Sequence, residues 1–148
     1  MTIGEIIGPD RVIVGLRVGD KGQLLQELAQ RAATATSLDA ATIFSALQAR
    51  ERLGSTGLGK GFALPHARLQ TLVAPYVLFA RLARPIDFAA IDERPVDIVI
   101  LLLTEANGSN QHLATLAALS RPMRDPAFVQ RLRQAADATA LYGVLATA

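Results

Sequence analysis

Apolar residues return along this chain with two different periods, and the period separates helix from strand. In KGQLLQELAQRAATAT, from Lys21 to Thr36, Leu24, Leu25, Leu28 and Ala32 recur at the spacing that lines one face of a helix. Asp20 stands before the stretch as an N-cap. A second helix is predicted for AATIFSALQARERL, capped by Ser37 or Asp39 and ended by Gly54, with Ile43, Phe44 and Leu47 toward a core. RVIVGLRV (Arg11 to Val18), YVLFARLA and VDIVILLL are short, branched and bounded by turn residues, which predicts strands. VDIVILLL is apolar on both faces, as a central covered strand is. QHLATLAALSRPM and PAFVQRLRQA read as helices, and Ala138 to Ala146 as a last short one. Strands alternate with helices, with no repeat, linker or low-complexity segment, so the expected class is α/β with a covered sheet.

Composition narrows the chemistry. A chain of 148 residues that is 51% hydrophobic can fill one domain core, here from Leu, Ile, Val and Ala because Trp is absent. The absence of cysteine removes disulfides, thiol catalysis and Cys-ligated metal. A net charge of +2 without a dense basic run argues against nucleic-acid binding. IVILLLT is too short to span a bilayer, and MTIGEIIGPD lacks the basic and apolar regions of a signal peptide. A soluble cytoplasmic protein with no membrane insertion is expected.

GSTGLGKGFALPHARL, from Gly54 to Leu69, is the densest candidate for function. It opens as Gly54-x-x-x-x-Gly59-Lys60, close to a nucleotide-binding phosphate loop. That loop needs a leading strand, a Ser or Thr after the lysine, and a helix beyond it. Here a helical segment leads in, Gly61 follows the lysine, and Pro65 comes soon after, so nucleotide binding is set aside. The glycines and Pro65 would instead present His66 on a stiff scaffold with bare backbone beside it. Two readings remain open: a phosphoryl-accepting imidazole, or a tight loop holding a half-buried histidine. A phosphohistidine needs a neutral nitrogen and donors for the phosphoryl oxygens. Candidate donors are Arg50, Arg52, Ser55, Thr56 and His112, the last at the start of a helix.

ERLGSTGLGKGFALPHARL resembles the phosphorylation segment of phosphotransferase-system enzyme IIA domains of the fructose–mannitol type, most of all the nitrogen-regulatory branch. The matching positions are Arg50, Glu51, Gly54, Ser55, Thr56, Gly57, Gly59, Gly61, Ala63, Pro65 and His66. FAAIDERPVD adds Phe88, Ala90, Asp92, Pro95, Val96 and Asp97, and QHLATL adds His112. The resemblance implies a single EIIA type 2 domain over residues 1–148, a mixed parallel and antiparallel sheet with helices on both faces. It implies a phosphoryl carrier, a phosphotransferase component more than a free-standing catalyst. His66 would be the acceptor, flanked by Arg50 and His112. The donor would be a histidine phosphocarrier protein of the HPr or NPr kind, and the onward partner a regulated target or a IIB component. No cofactor and no metal is implied. With one domain and no cysteine for a IIB nucleophile, the regulatory branch is favoured over a separately encoded sugar-specific IIA component feeding a permease. Ala67 and Arg68 follow the histidine, where the family often carries glycine and a basic residue; Arg68 would preserve the charge, and the departure at Ala67 bears on partner choice.

Other residues have plainer readings. Arg52 falls off the Arg50 face of its helix and is expected at the surface. Asp92, Glu93 and Asp97 are split by Pro95 and read as loop caps. Two imidazoles with no third ligand make a poor zinc site. A small hydrolase using His66 as base is the remaining alternative. It would need a carboxylate to orient the ring and a nucleophile such as Ser55 or Thr56 beside it.

Overall fold

The computed structural model describes residues 2–106 and 110–148. The helices Lys21–Thr36, Ala40–Arg52, Pro126–Gln134 and Ala138–Leu145 each begin where an aspartate side chain meets free N–H groups of the first turn. α1 (Ile3–Ile6) opens on a capping box in which Thr2 and Glu5 satisfy each other's backbone N–H. β1 (Val12–Leu16) follows. α2 (Lys21–Thr36) is capped by Asp20, and α3 (Ala40–Arg52) by Asp39, which accepts from Thr42 N at 3.0 Å. Ser37, the other candidate cap, instead ends α2 in the left-handed conformation. β2 (Gly57–Gly59), β3 (Phe62–Ala63), β4 (His66–Leu69), β5 (Tyr76–Ile86) and β6 (Val96–Glu105) come next. α4 (Asn110–Ser120), α5 (Pro126–Gln134) and α6 (Ala138–Leu145) complete the chain.

The sheet runs in the order β1-β5-β6-β3-β2, with β4 also on β6. β1 is parallel to β5, while β3 and β4 are parallel to β6. β5 is antiparallel to β6, and β2 to β3. The sheet is therefore mixed, as the family resemblance implied. Alternate residues of the strands feed two cores. Leu78, Ala80, Val99, Leu101 and Leu103 pack under α2 and α3. Val77, Phe79, Ile98, Ile100 and Leu102 pack under α1, α4, α5 and α6. β6 contributes to both, so it carries no polar alternation.

The pattern misplaced some boundaries. The first strand is shorter than Arg11 to Val18, because Pro9 fixes a 3-10 turn over Pro9–Arg11. The helix expected through Met123 ends at Ser120, and Pro122 sits in a 3-10 turn over Arg121–Arg124. α1 and β2 were not predicted. One is a single turn, and the other is three residues long with two glycines, too short for either period to register.

Candidate functional site

β3 and β4 lie end to end along β6, separated by Leu64 and Pro65. Pro65 has no N–H, so the ladder breaks there, but its carbonyl accepts from Leu102 N at 3.0 Å and holds the register. Along β4, Ala67 and Leu69 are buried in the core under α2 and α3. Strand alternation then turns His66 and Arg68 to the other face, toward α4.

The loop before β3 is built around missing side chains. A Cβ on Gly57 would meet Ala90 Cα at 2.8 Å, so only glycine lets the Asp87–Pro95 connection close onto it. That connection bonds back through Ile91 N to Gly57 O at 3.1 Å and through Asp92 Oδ2 to Lys60 N at 2.9 Å. Gly61, at φ 81°, leaves room for Arg133, which reaches Lys60 O at 3.0 Å and pairs with Asp97 at 2.8 Å. Asp92 thus caps the loop, as expected, whereas Asp97 lies within β6 and pairs with Arg133 instead. β3 directly follows Gly61, so the helix a phosphate loop requires is absent here.

His66 is half-buried and fixed at both nitrogens. Nδ1 lies 2.7 Å from Leu64 O, and a carbonyl only accepts, so Nδ1 carries the proton. Nε2 therefore holds a lone pair, which accepts from Arg50 Nε at 3.2 Å. Arg50 stands in the last turn of α3 and also donates to Gly54 O at 2.9 Å. His112 comes from the first turn of α4, its ring centroid 5.6 Å from that of His66 and tilted by 52°. It is buried, with Nδ1 2.6 Å from Thr104 Oγ1. Burial, more than any other influence, holds the His66 pKa below the ordinary 6.5. The Leu64 carbonyl opposes that shift and Arg50 adds to it. His112 is lowered too, first by burial and then by Arg68 and His66. Both rings favour the neutral form near pH 7, and the neutral His66 carries its lone pair on Nε2.

The structure thus brings Arg50, His66 and His112 together. It does not bring the hydroxyls of Ser55 and Thr56 to the imidazole. Ser55 Oγ donates to Phe88 O and accepts from Gly57 N, at 3.3 and 3.0 Å. Thr56 is buried, its hydroxyl and N–H both donating to the Glu51 carboxylate. Arg52 is exposed. The contacts of three residues escaped the sequence reading, which had named Glu51 and Arg68 without them and had not named Thr104. Glu51 bonds Lys21 Nζ at 2.8 Å as well as Thr56, which ties α2, α3 and the loop together. Thr104 holds His112. The placement of Arg68 beside both rings follows from strand alternation once β4 is known. Neither Nδ1 faces a carboxylate: one meets a carbonyl and the other a hydroxyl, so the order a hydrolase triad requires does not form.

Among the described residues, no helix is long and apolar enough to cross a membrane, and no cluster of three or more His, Cys, Asp or Glu side chains is placed to hold a metal ion. The family described as phosphoenolpyruvate-dependent sugar phosphotransferase system, EIIA 2, matches residues 5–148. A nitrogen regulatory protein of Bradyrhizobium diazoefficiens is 43% identical over 146 residues, covering 99% of this chain and 95% of that protein. One of Pseudomonas aeruginosa is 40% identical, covering 98% and 95%. The crystal structure of nitrogen regulatory protein IIA-Ntr from Neisseria meningitidis superposes with a TM-score of 0.91 at 33% identity, covering 97% of this chain and 98% of that one.

Proposed function

This chain belongs to the EIIA 2 family of the phosphoenolpyruvate-dependent sugar phosphotransferase system. On that premise we propose that it takes a phosphoryl group onto His66 Nε2 from a phosphorylated histidine carrier protein, HPr- or NPr-like. The observation that carries the proposal is the 2.7 Å contact of His66 Nδ1 with Leu64 O, which puts the ring's lone pair on Nε2, where it attacks once Arg50 Nε, at 3.2 Å, releases it. That lone pair forms the new P–N bond as the donor's P–N bond breaks. The released electron pair returns to the donor imidazole, which leaves neutral when its other nitrogen carries a proton. His66 Nδ1 keeps its own proton against Leu64 O, where the ring's gain of positive charge is met. Arg50 then loses its acceptor on Nε2 and turns its guanidinium to the phosphoryl oxygens.

Relatives named nitrogen regulatory protein, matched over nearly the full chain, support a regulatory carrier over a sugar-specific one. The proposed setting is the cytoplasm, with one EIIA domain over residues 1–148, and a regulated protein or a IIB component downstream. The test is mass spectrometry after incubation with phosphoenolpyruvate and the two upstream relay proteins. One acid-labile phosphoryl adduct on His66 is expected; no adduct, under conditions that label a known relative, refutes the proposal.

Arg50 and His112 set the rate and the plateau, not the site, of labelling. The phosphoryl group brings about two negative charges. Losing one hydrogen bond to a charged group is expected to cost about 1.5–3 kcal/mol, or roughly ten- to hundred-fold. Arg50→Ala and His112→Ala are therefore expected to be labelled at His66, but more slowly or to a lower plateau. Wild-type time courses in both variants would remove these residues from the phosphoryl site.

The two histidines also set a pH dependence. Unfolded, they take up protons near 6.5; folded, burial holds both pKa values below that. Between those values the unfolded chain binds more protons, so stability rises with pH through the window and is lost as pH falls below about 6.5. Protonation at Nε2 also removes the nucleophile. Imidazole titration by NMR is expected to give both midpoints below 6.5, with the melting temperature falling on acidification through the same window. A His66 midpoint above 6.5 would contradict the buried, neutral ring.

A further inference from the structure

The last inward position of β6 breaks the pattern of those before it. Ile98, Ile100 and Leu102, on one face of the strand, are fully buried in the core under α4, α5 and α6. Thr104 then places a hydroxyl where the period calls for another apolar side chain. It is buried, and its Oγ1 lies 2.6 Å from Nδ1 of the equally buried His112. A buried hydroxyl carries a proton that needs an acceptor. Among the described residues, that acceptor is His112 Nδ1. The hydroxyl therefore donates, Nδ1 accepts, and the one proton of the neutral ring sits on Nε2.

We propose that Thr104 is a positioning residue for the phosphoryl transfer: its O–H fixes His112 as the Nε2–H tautomer, so that a neutral imidazole meets the phosphoryl group on His66 with a donor in place of a lone pair. The inference rests on the reading of His66 as acceptor. The tautomer matters because the ring is neutral. An imidazolium donates from both nitrogens whatever its neighbour, but in the unphosphorylated chain that receives the group, burial, Arg68 and His66 all hold the His112 pKa down. A neutral ring with its proton on Nδ1 would turn a lone pair toward phosphoryl oxygens and repel them. With the rings 5.6 Å apart and tilted by 52°, a group on His66 comes within reach of the unbonded edge of His112.

The full-length chain and its Thr104→Val and Thr104→Ser variants test this, with long-range proton–nitrogen spectra of the imidazoles and labelling time courses from phosphorylated donor. Val keeps the shape and removes the hydroxyl; Ser keeps the hydroxyl. In wild type and Thr104→Ser, His112 is expected to show a protonated Nε2 and a hydrogen-bonded, unprotonated Nδ1. In Thr104→Val the Nδ1 signal is expected to move toward that of a free lone pair, and labelling of His66 to slow about two- to tenfold. Serine restores both readouts. The role of Thr104 is overturned by a protonated Nδ1 in a wild-type chain that is labelled, or by Thr104→Val leaving signal and rate unchanged. A wild-type chain that takes no label sinks the carrier reading itself, and with it the transfer role, whatever tautomer the spectrum shows.

Discussion

Replacing His66 with alanine is expected to abolish the phosphoryl adduct while the chain stays folded. The only other imidazole, His112, is buried and bonded through Nδ1 to Thr104, so it offers no exposed nucleophile equivalent to His66 Nε2. The fold survives because β4 is held by main-chain pairing to β6 and by Ala67 and Leu69, none of which involves the imidazole. The ring's bonds to Leu64 O and Arg50 Nε are lost, a cost of about 1 kcal/mol, which corresponds to a drop of about 2–4 °C in melting temperature for a chain of this size. Intact-mass labelling reads the first expectation, and circular dichroism with thermal melting reads the second. An adduct of undiminished yield in His66→Ala would move the acceptor role to His112 and overturn the assignment.

Glu51→Ala is expected to produce the largest loss of stability among substitutions at the site. The Glu51 side chain is 6% exposed. Its carboxylate receives the N–H of Thr56 at 3.1 Å, the Thr56 hydroxyl, and Lys21 Nζ at 2.8 Å. Thr56 is itself buried, so removing the carboxylate strands a hydroxyl and an N–H away from water. Lys21 loses its counter-charge but stays partly solvated, stacked 4.4 Å over the Phe88 ring, so its share is the smaller one. Breaking such a cluster by deleting one member is expected to cost about 3 kcal/mol, a drop of about 6–12 °C. Glu51→Gln retains an oxygen for Thr56 but not the ion pair, and is expected to fall between. Since Glu51 also anchors the end of α3 that presents Arg50, labelling should slow in step with the instability. A Glu51→Ala protein that melts with the wild type would show that the cluster contributes nothing to the fold.

Much of the architecture was legible because it is local. The Lys21 to Thr36 helix was readable to the residue, since Asp20 supplies an acceptor at its start and the leucines repeat at helical spacing. β6 was readable as a central strand from its unbroken apolar run. The histidine loop was readable because glycine admits backbone conformations closed to other residues and proline fixes its own φ. By contrast, the short elements α1 and β2 give no period to read, and Pro9 and Pro122 moved two boundaries that side-chain hydrophobicity alone had set too wide.

The sequence by itself determined the class of fold, the starts of α2, α3, α5 and α6, and the chemistry available: two imidazoles, no thiol, and an arginine one turn before a glycine loop. It left undecided which side chains meet. Arg50 reaches His66 across 16 positions because α3 packs beside β4. The loop's hydroxyls turn away from the imidazole because Glu51 and Phe88 O satisfy them first. The Nδ1 proton of His66 is set by the Leu64 carbonyl, and His112 stands opposite because the register of β4 on β6 puts Arg68 beside Thr104. Periodicity and capping act within a few residues and are written in the chain. Tautomer, nucleophile and charge environment come from groups that only the register of the sheet brings within hydrogen-bonding distance.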